Sequence, residues 1–200
     1  MARSTLETFG RFSGSAFGRW LFSRLLCWRA PYFASIHPRI ETLEPGRCVV
    51  RLRQRRRIQN HLGTVHAIAL CNAAELAGGL ATDVTIPGSM RWIPKGMTVR
   101  YLKKALGVLT ATAQVDPVAD SATAQELHAL VVVRDASNDI VFDADITMWI
   151  SPRKSAQGNS DFARHPGIAK RYPGSSASAF QRVVKKSLGS RLRGNDEDWD

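Results

Sequence analysis

The chain has 200 residues, of which 44% are hydrophobic and 22% charged, enough for one domain plus extensions and too apolar for a wholly disordered chain. Its net charge is +11, and the basic excess favours anionic ligands without choosing among phosphates, nucleic acid and membrane surfaces. Three cysteines, Cys27, Cys48 and Cys71, have no metal-like spacing and argue against a disulfide framework, so a reduced, cytoplasmic protein is expected.

Residues 1–35 include the apolar run "WLFSRLLCW" (20–28), interrupted by Arg19, Arg24 and Arg29. It is too short and too charged for a span of roughly 20 apolar residues. One or two short amphipathic helices are expected, packed on the domain, with an interfacial membrane helix as the alternative. "PRIETLEPGRCVVRLRQRRR" (38–57) reads as a hairpin turning at "EPG", where Cys48, Val50 and Leu52 alternate with Arg47, Val49, Arg51 and Arg53. An apolar helix follows over about 64–80. "PGSMRWIPKG" (87–96) is punctuated by Pro and Gly, and the next strand is expected to begin after it.

Four strands remain. "MTVRYLKKA" (97–105) places Met97, Val99 and Tyr101 on one face, and "GVLTATAQV" (107–115) follows a tight turn. "QELHALVVVRD" (125–135) and "IVFDADITMWI" (140–150) are joined by "ASND". Short connections imply antiparallel neighbours. A single sheet over one helix is the economical packing, an α+β domain spanning residues 36–150. Residues 151–200 are rich in Ser, Gly, Pro and basic groups and predict a disordered tail with no assigned function.

Within "NHLGTVHAIALCNAAELAGG" (60–79), Glu75 is the only carboxylate of an otherwise apolar helix. A helix apolar all round is normally buried, and a buried lone carboxylate is costly. Glu75 is therefore a candidate working group; a paired structural carboxylate is the alternative. Ala67, Ala74, Gly78 and Gly79 leave room for another backbone or a slender ligand, or simply permit tight packing.

The spacing Asn60-x-x-Gly63-x-x-His66, with Glu75 nine residues further on, resembles the central motif of hotdog-fold acyl-CoA thioesterases, closest to the phenylacetyl-CoA thioesterase-like branch. "MTVRYLKKA" is similar to the strand after the helix in that fold. The resemblance implies an antiparallel sheet of five or six strands wrapped around one long central helix. It also implies a homodimer or dimer of dimers acting on an acyl-CoA or acyl-carrier thioester, with no cofactor and no metal.

By the same resemblance, Glu75 is the general base or nucleophile, Asn60 orients the water or carbonyl, and His66 positions the turn or touches the ligand. Gly63, Ala67, Ile68 and Asn72 would bind substrate, the amides of Ala67 and Ile68 forming an oxyanion hole. One departure stands out: the family's two glycines after the histidine are Ala67 and Ile68 here. That leaves two alternatives, a hotdog dehydratase or hydratase using His66 and Glu75, and a non-catalytic acyl-thioester binder closed by Ile68.

"RLRQRRR" (51–57) would place Arg51, Arg53, Arg55 and Arg57 on one strand face. A solvated outer face is the plain reading, and a site for CoA phosphates the second. No interleaved aromatic platform supports a specific nucleic-acid partner.

Overall fold

The computed structural model describes residues 4–119 and 123–153, so nearly all of the expected tail lies outside the described residues. Two helices come first, α1 (Thr5–Phe12) and α2 (Ala16–Arg29), followed by a 3-10 turn at Pro31–Ile36. Ser4 caps α1 reciprocally with Glu7, and the Ser15 hydroxyl accepts the Gly18 amide at the start of α2. A hairpin follows, β1 (Arg39–Glu44) and β2 (Arg47–Arg53), then α3 (Ala67–Thr85). The remaining strands are β3 (Met90–Tyr101), β4 (Val108–Val115), β5 (Gln125–Arg134) and β6 (Ile140–Pro152).

The six strands form one antiparallel sheet in the order β1-β2-β4-β5-β6-β3. All six touch α3, so the sheet wraps the helix. This is the α+β hotdog architecture that the resemblance implied. Alternate residues of each inner strand point at the helix: Val50 and Leu52, Leu109 and Ala111, Val131 and Val133, Phe142 and Ile146 are all essentially buried. The helix answers with Leu70, Ala73, Leu76 and Ala77. Its small residues bring the backbone close to the sheet. A Cβ at Gly78 would lie 2.9 Å from Ile146 Cδ1, and one at Gly79 would lie 2.9 Å from the Trp92 ring. Tight packing therefore fills the room at both glycines, and no ligand space remains there.

Three local expectations are corrected. The helix continues to Thr85. Strand β2 stops at Arg53 and a 3-10 turn takes Arg56–Ile58, so Arg55 and Arg57 do not share a strand face with Arg51 and Arg53. The strand expected over 97–105 begins earlier and ends sooner, as β3 runs Met90–Tyr101 through the Pro- and Gly-punctuated stretch. Pro94 is tolerated because β3 is an edge strand, and the register with β6 shifts between Pro94 and Gly96.

The two sheet edges differ. At β1, α2 supplies the missing partners. The Ser23 hydroxyl, fully buried, accepts the Ile40 amide at 2.9 Å and donates to the Arg19 carbonyl at 2.7 Å. Arg24 donates to the Pro38 carbonyl, and Glu41 pairs with Arg19 at 3.1 Å and Arg39 at 3.3 Å. Among the described residues nothing covers β3 in this way, and Ile93 on its outer side is 58% exposed.

Ser23→Ala removes the side-chain acceptor of the Ile40 amide and leaves a buried donor unpaired. It should destabilise the fold by about 1–3 kcal/mol in urea unfolding. A change indistinguishable from zero would show that α2 does not cap the β1 edge.

Candidate functional site at the start of the central helix

The turn before α3 is built by Asn60. Its Oδ1 accepts the amides of Leu62 and Thr64, both at 3.1 Å, and its Nδ2 donates to Thr64 Oγ1 at 2.9 Å. Such local bonds are what make asparagine a turn residue. Gly63 sits at φ +73°, a left-handed conformation that a side chain would strain. Gln54 locks the turn to the sheet, donating to the Gly63 carbonyl and accepting the Gly107 amide. His66 donates its amide to the Ile58 carbonyl at 2.8 Å and enters the helix as its N-cap.

The capping atom is His66 Nδ1, which accepts the Ile68 amide at 3.1 Å. Two consequences follow. The Ile68 N–H, expected to face a ligand, is already engaged. In the neutral ring, the proton then resides on Nε2, so the exposed His66 presents a donor outward. The Ala67 N–H, at the first helical position, has no intrahelical partner and sits at the positive end of the helix dipole.

Glu75 does not occupy the buried setting expected of it. It is exposed, and its carboxylate has no hydrogen bond or ion pair among the described residues. The reason lies in the sheet. The stripe of α3 carrying Ile68, Cys71, Glu75, Gly79 and Asp83 runs beside the edge strand β3, and only at its far end does it meet α1, where the Thr5 hydroxyl donates to Asp83 at 2.6 Å. At one end, the Tyr101 hydroxyl and Cys71 Sγ lie 3.2 Å apart. At the other, Trp92 covers Gly79 and donates Nε1–H to Asp83 at 3.2 Å. Glu75 falls between these two contacts along the helix, on the side of α3 that runs beside β3.

Burial and the bond to Cys71 push the Tyr101 hydroxyl up to about 12, so it stays a neutral phenol. Ile68 is 54% exposed. Asn72, expected to bind substrate, is buried on another side of α3 and donates to Ser35 Oγ at 2.9 Å. Its orientation is toward the Pro31–Ile36 turn and away from the Glu75 stripe. His66 and Ile68 are exposed at the start of α3 and Glu75 is exposed about 12 Å further along the helix, with Gly63 and Asn60 shaping the turn that leads into it.

Tyr101, Cys71 and Trp92 were not singled out for the site by the sequence reading. The alternation of "MTVRY" placed Tyr101 on the correct face, but only the pairing of β3 with β6 sets it opposite Cys71. No group of three or more His, Cys, Asp or Glu able to hold a metal ion occurs among the described residues. An amide donor at a helix start, an outward imidazole N–H and a solvated carboxylate together suit chemistry at a carbonyl.

The turn geometry makes a prediction that separates its two roles for Asn60. Asn60→Ala should cost about 1–2 kcal/mol in thermal or urea unfolding, through loss of the bonds to Leu62 and Thr64. Asn60→Asp retains the accepting oxygen and should recover most of that loss. Equal destabilisation by both would mean that the Oδ1 bonds do not hold the turn.

Residues 18–150 match the family model described as "Domain of unknown function (DUF4442)". The crystal structure of the structural-genomics protein APC5556 is 43% identical over 74% of this chain and 99% of its own, with a TM-score of 0.66. Two more distant likenesses show the fold. The thioesterase HI1161 from Haemophilus influenzae is 14% identical, covers 67% of this chain and 91% of its own, and has a TM-score of 0.58. PA5026 from Pseudomonas aeruginosa, described as a probable thioesterase, is 21% identical, covers 66% of this chain and 93% of its own, and has a TM-score of 0.55. A comparison with curated protein sequences gave no match. The chain has the hotdog fold of these thioesterase-family structures and belongs to the DUF4442 family.

Proposed function

We propose that the protein is an acyl-thioester hydrolase whose site is completed by a second copy of the chain. The observation that carries this reading is the solvated carboxylate of Glu75 on the β3 side of α3, between the Cys71–Tyr101 and Trp92–Asp83 contacts, with the Ala67 amide at the start of the same helix. The thioesterase names of HI1161 and PA5026 support the same reaction class. In this reading Glu75 takes a proton from water, and the resulting hydroxide attacks the thioester carbonyl. The carbonyl oxygen gains negative charge and is held by Ala67 N–H and His66 Nε2–H. Collapse of the tetrahedral intermediate breaks the C–S bond, and the thiolate takes the proton that Glu75 had removed from water, leaving as thiol beside the carboxylic acid and restoring the carboxylate. CoA or an acyl carrier supplies the thiol.

The second copy is argued from β3. An open twelve-residue edge strand is a template for pairing, and Ile93 and Met97 leave it apolar on both faces. Pairing β3 with its own copy would continue the sheet across a two-fold axis. It would also withdraw Glu75 from bulk water. Ile68, Tyr101, Leu102 and Leu106, exposed in one chain, are the apolar contacts for the acyl chain or for the partner.

The dimer predicts that Ile93→Lys, placing charge on the pairing edge, shifts the protein to monomer in sedimentation velocity and lowers hydrolysis with it. A monomeric wild type with full activity would refute the shared site. For the chemistry, Glu75→Gln should lower turnover of acyl-CoA substrates by about 10²–10⁴-fold with little change in Tm, since the carboxylate makes no internal contact. Free CoA is best separated chromatographically, because Cys71, which is not buried, would react with a thiol reagent. Retained turnover in Glu75→Gln removes Glu75 from the mechanism, and no turnover by wild type on short, long and aromatic acyl-CoAs removes hydrolysis of acyl-CoA itself.

A further inference from the structure

Helix α2 is apolar on two opposite faces. One, with Phe22, Ser23 and Cys27, packs inward and seals β1. The other carries Phe17 (69% exposed), Leu25 (46%) and Trp28 (85%), with Trp20 stacked on Phe17 at 5.5 Å. Tyr32, just beyond the helix, is also exposed. A soluble helix ordinarily turns charged groups outward, so large exposed aromatics on one face require a reason.

Beside the same face lies a cavity of about 320 Å³, lined by Trp20, Arg24, His37, Arg51, Arg53 and Arg55 among others. Its positive charge is poorly compensated. Glu41 is the nearby carboxylate, and it serves Arg19 and Arg39 while reaching Arg51 only at 4.0 Å. Arg53 and Arg55 have no acidic partner among the described residues, and Arg24 Nε is buried without a hydrogen bond. Burial and the facing arginines depress the His37 pKa, and because Arg24 Nη1 donates to its Nδ1 at 3.1 Å, the neutral ring keeps its proton on Nε2 and adds a donor without a further charge.

We propose that α2 docks the protein onto an anionic lipid surface, with its aromatic face in the headgroup boundary and the arginine cavity taking a lipid phosphate. Tryptophan and phenylalanine beside arginine are the residues that interfacial helices use. Trp20 belongs to both features, so the apolar face and the cavity form one continuous surface. That continuity favours a lipid over a free phosphate compound. A second copy fits poorly, because a two-fold contact here would bring the same arginines against each other. No helix among the described residues is long and apolar enough to cross a membrane, so the attachment is to the surface.

The test uses the full chain and co-sedimentation with vesicles of phosphatidylcholine, alone or with roughly one third phosphatidylglycerol. Partition onto the anionic vesicles should exceed that onto neutral ones by at least about tenfold and fall steeply with added salt. Phe17→Ser with Trp28→Ser, and separately Arg53→Glu with Arg55→Glu, should each lower it about tenfold with unchanged Tm, since these side chains are exposed. Equal partition onto both vesicle types, or variants that bind like wild type, would overturn the proposal. So would saturable binding of inorganic phosphate or of a short oligonucleotide by a protein that ignores vesicles. A change of oligomer in the Phe17/Trp28 variant without loss of vesicle binding would assign the face to a second copy instead.

Discussion

The molecule is organised by what happens at the two ends of its sheet. A sheet ends in backbone N–H and C=O groups that need partners. At β1, the N-terminal helix pair meets that need, with one serine hydroxyl placed against one strand amide and three arginines bracing the junction. At β3, the described residues offer nothing comparable. The first arrangement closes the fold on one side. The second leaves a long, partly apolar strand whose backbone can still bond, and whose helix-facing residues are only half covered.

The central helix inherits that asymmetry. Its alanines and glycines draw it against the sheet, and its other flank rests on the Pro31–Ile36 turn through Asn72 and Ser35. What remains is the strip over the open edge. A carboxylate on that strip costs nothing in a single chain, because water solvates it. The same exposure would leave it a weak base beside a substrate, since catalysis at a carbonyl gains from a dry, fixed environment. Stability and chemistry therefore make opposite demands on Glu75. Pairing at β3 would satisfy both, keeping the carboxylate wet during folding and enclosed only on assembly.

Much of this was legible in the residues. Period-two alternation located β4, β5 and β6 to within a few residues, and the hairpin turned where Pro45 and Gly46 stand. The helix was visible from its apolar run. The failures share a cause, which is that local signals were weighed without the sheet that overrides them. Pro94 and Gly96 look like punctuation, yet an edge strand with a bulge accommodates both. Arg55 and Arg57 continue an alternation that the chain abandons for a 3-10 turn. Glu75 was read as buried because its helix is apolar all round. Only the strand order shows that one face of that helix meets the sheet's open end. Asn72, a polar residue three positions away, is the one that is buried.

The substitution of Ala67 and Ile68 for the motif's two glycines can be weighed against the same geometry. The isoleucine amide is taken by His66 Nδ1, so it offers nothing to a ligand whatever its side chain. The donor that matters belongs to Ala67, where the added group is a single methyl. His66, by capping the helix with one ring nitrogen, turns the proton on the other outward and compensates for the amide it consumes. Two donors thus remain at the helix start, one from the backbone and one from the ring. Ile68 changes the apolar surface that an acyl chain meets, while the polar atoms that would hold a carbonyl are unaffected. In the proposed hydrolase, the departure from the motif would bear first on which acyl group is accepted, and only secondarily on whether a thioester can be polarised.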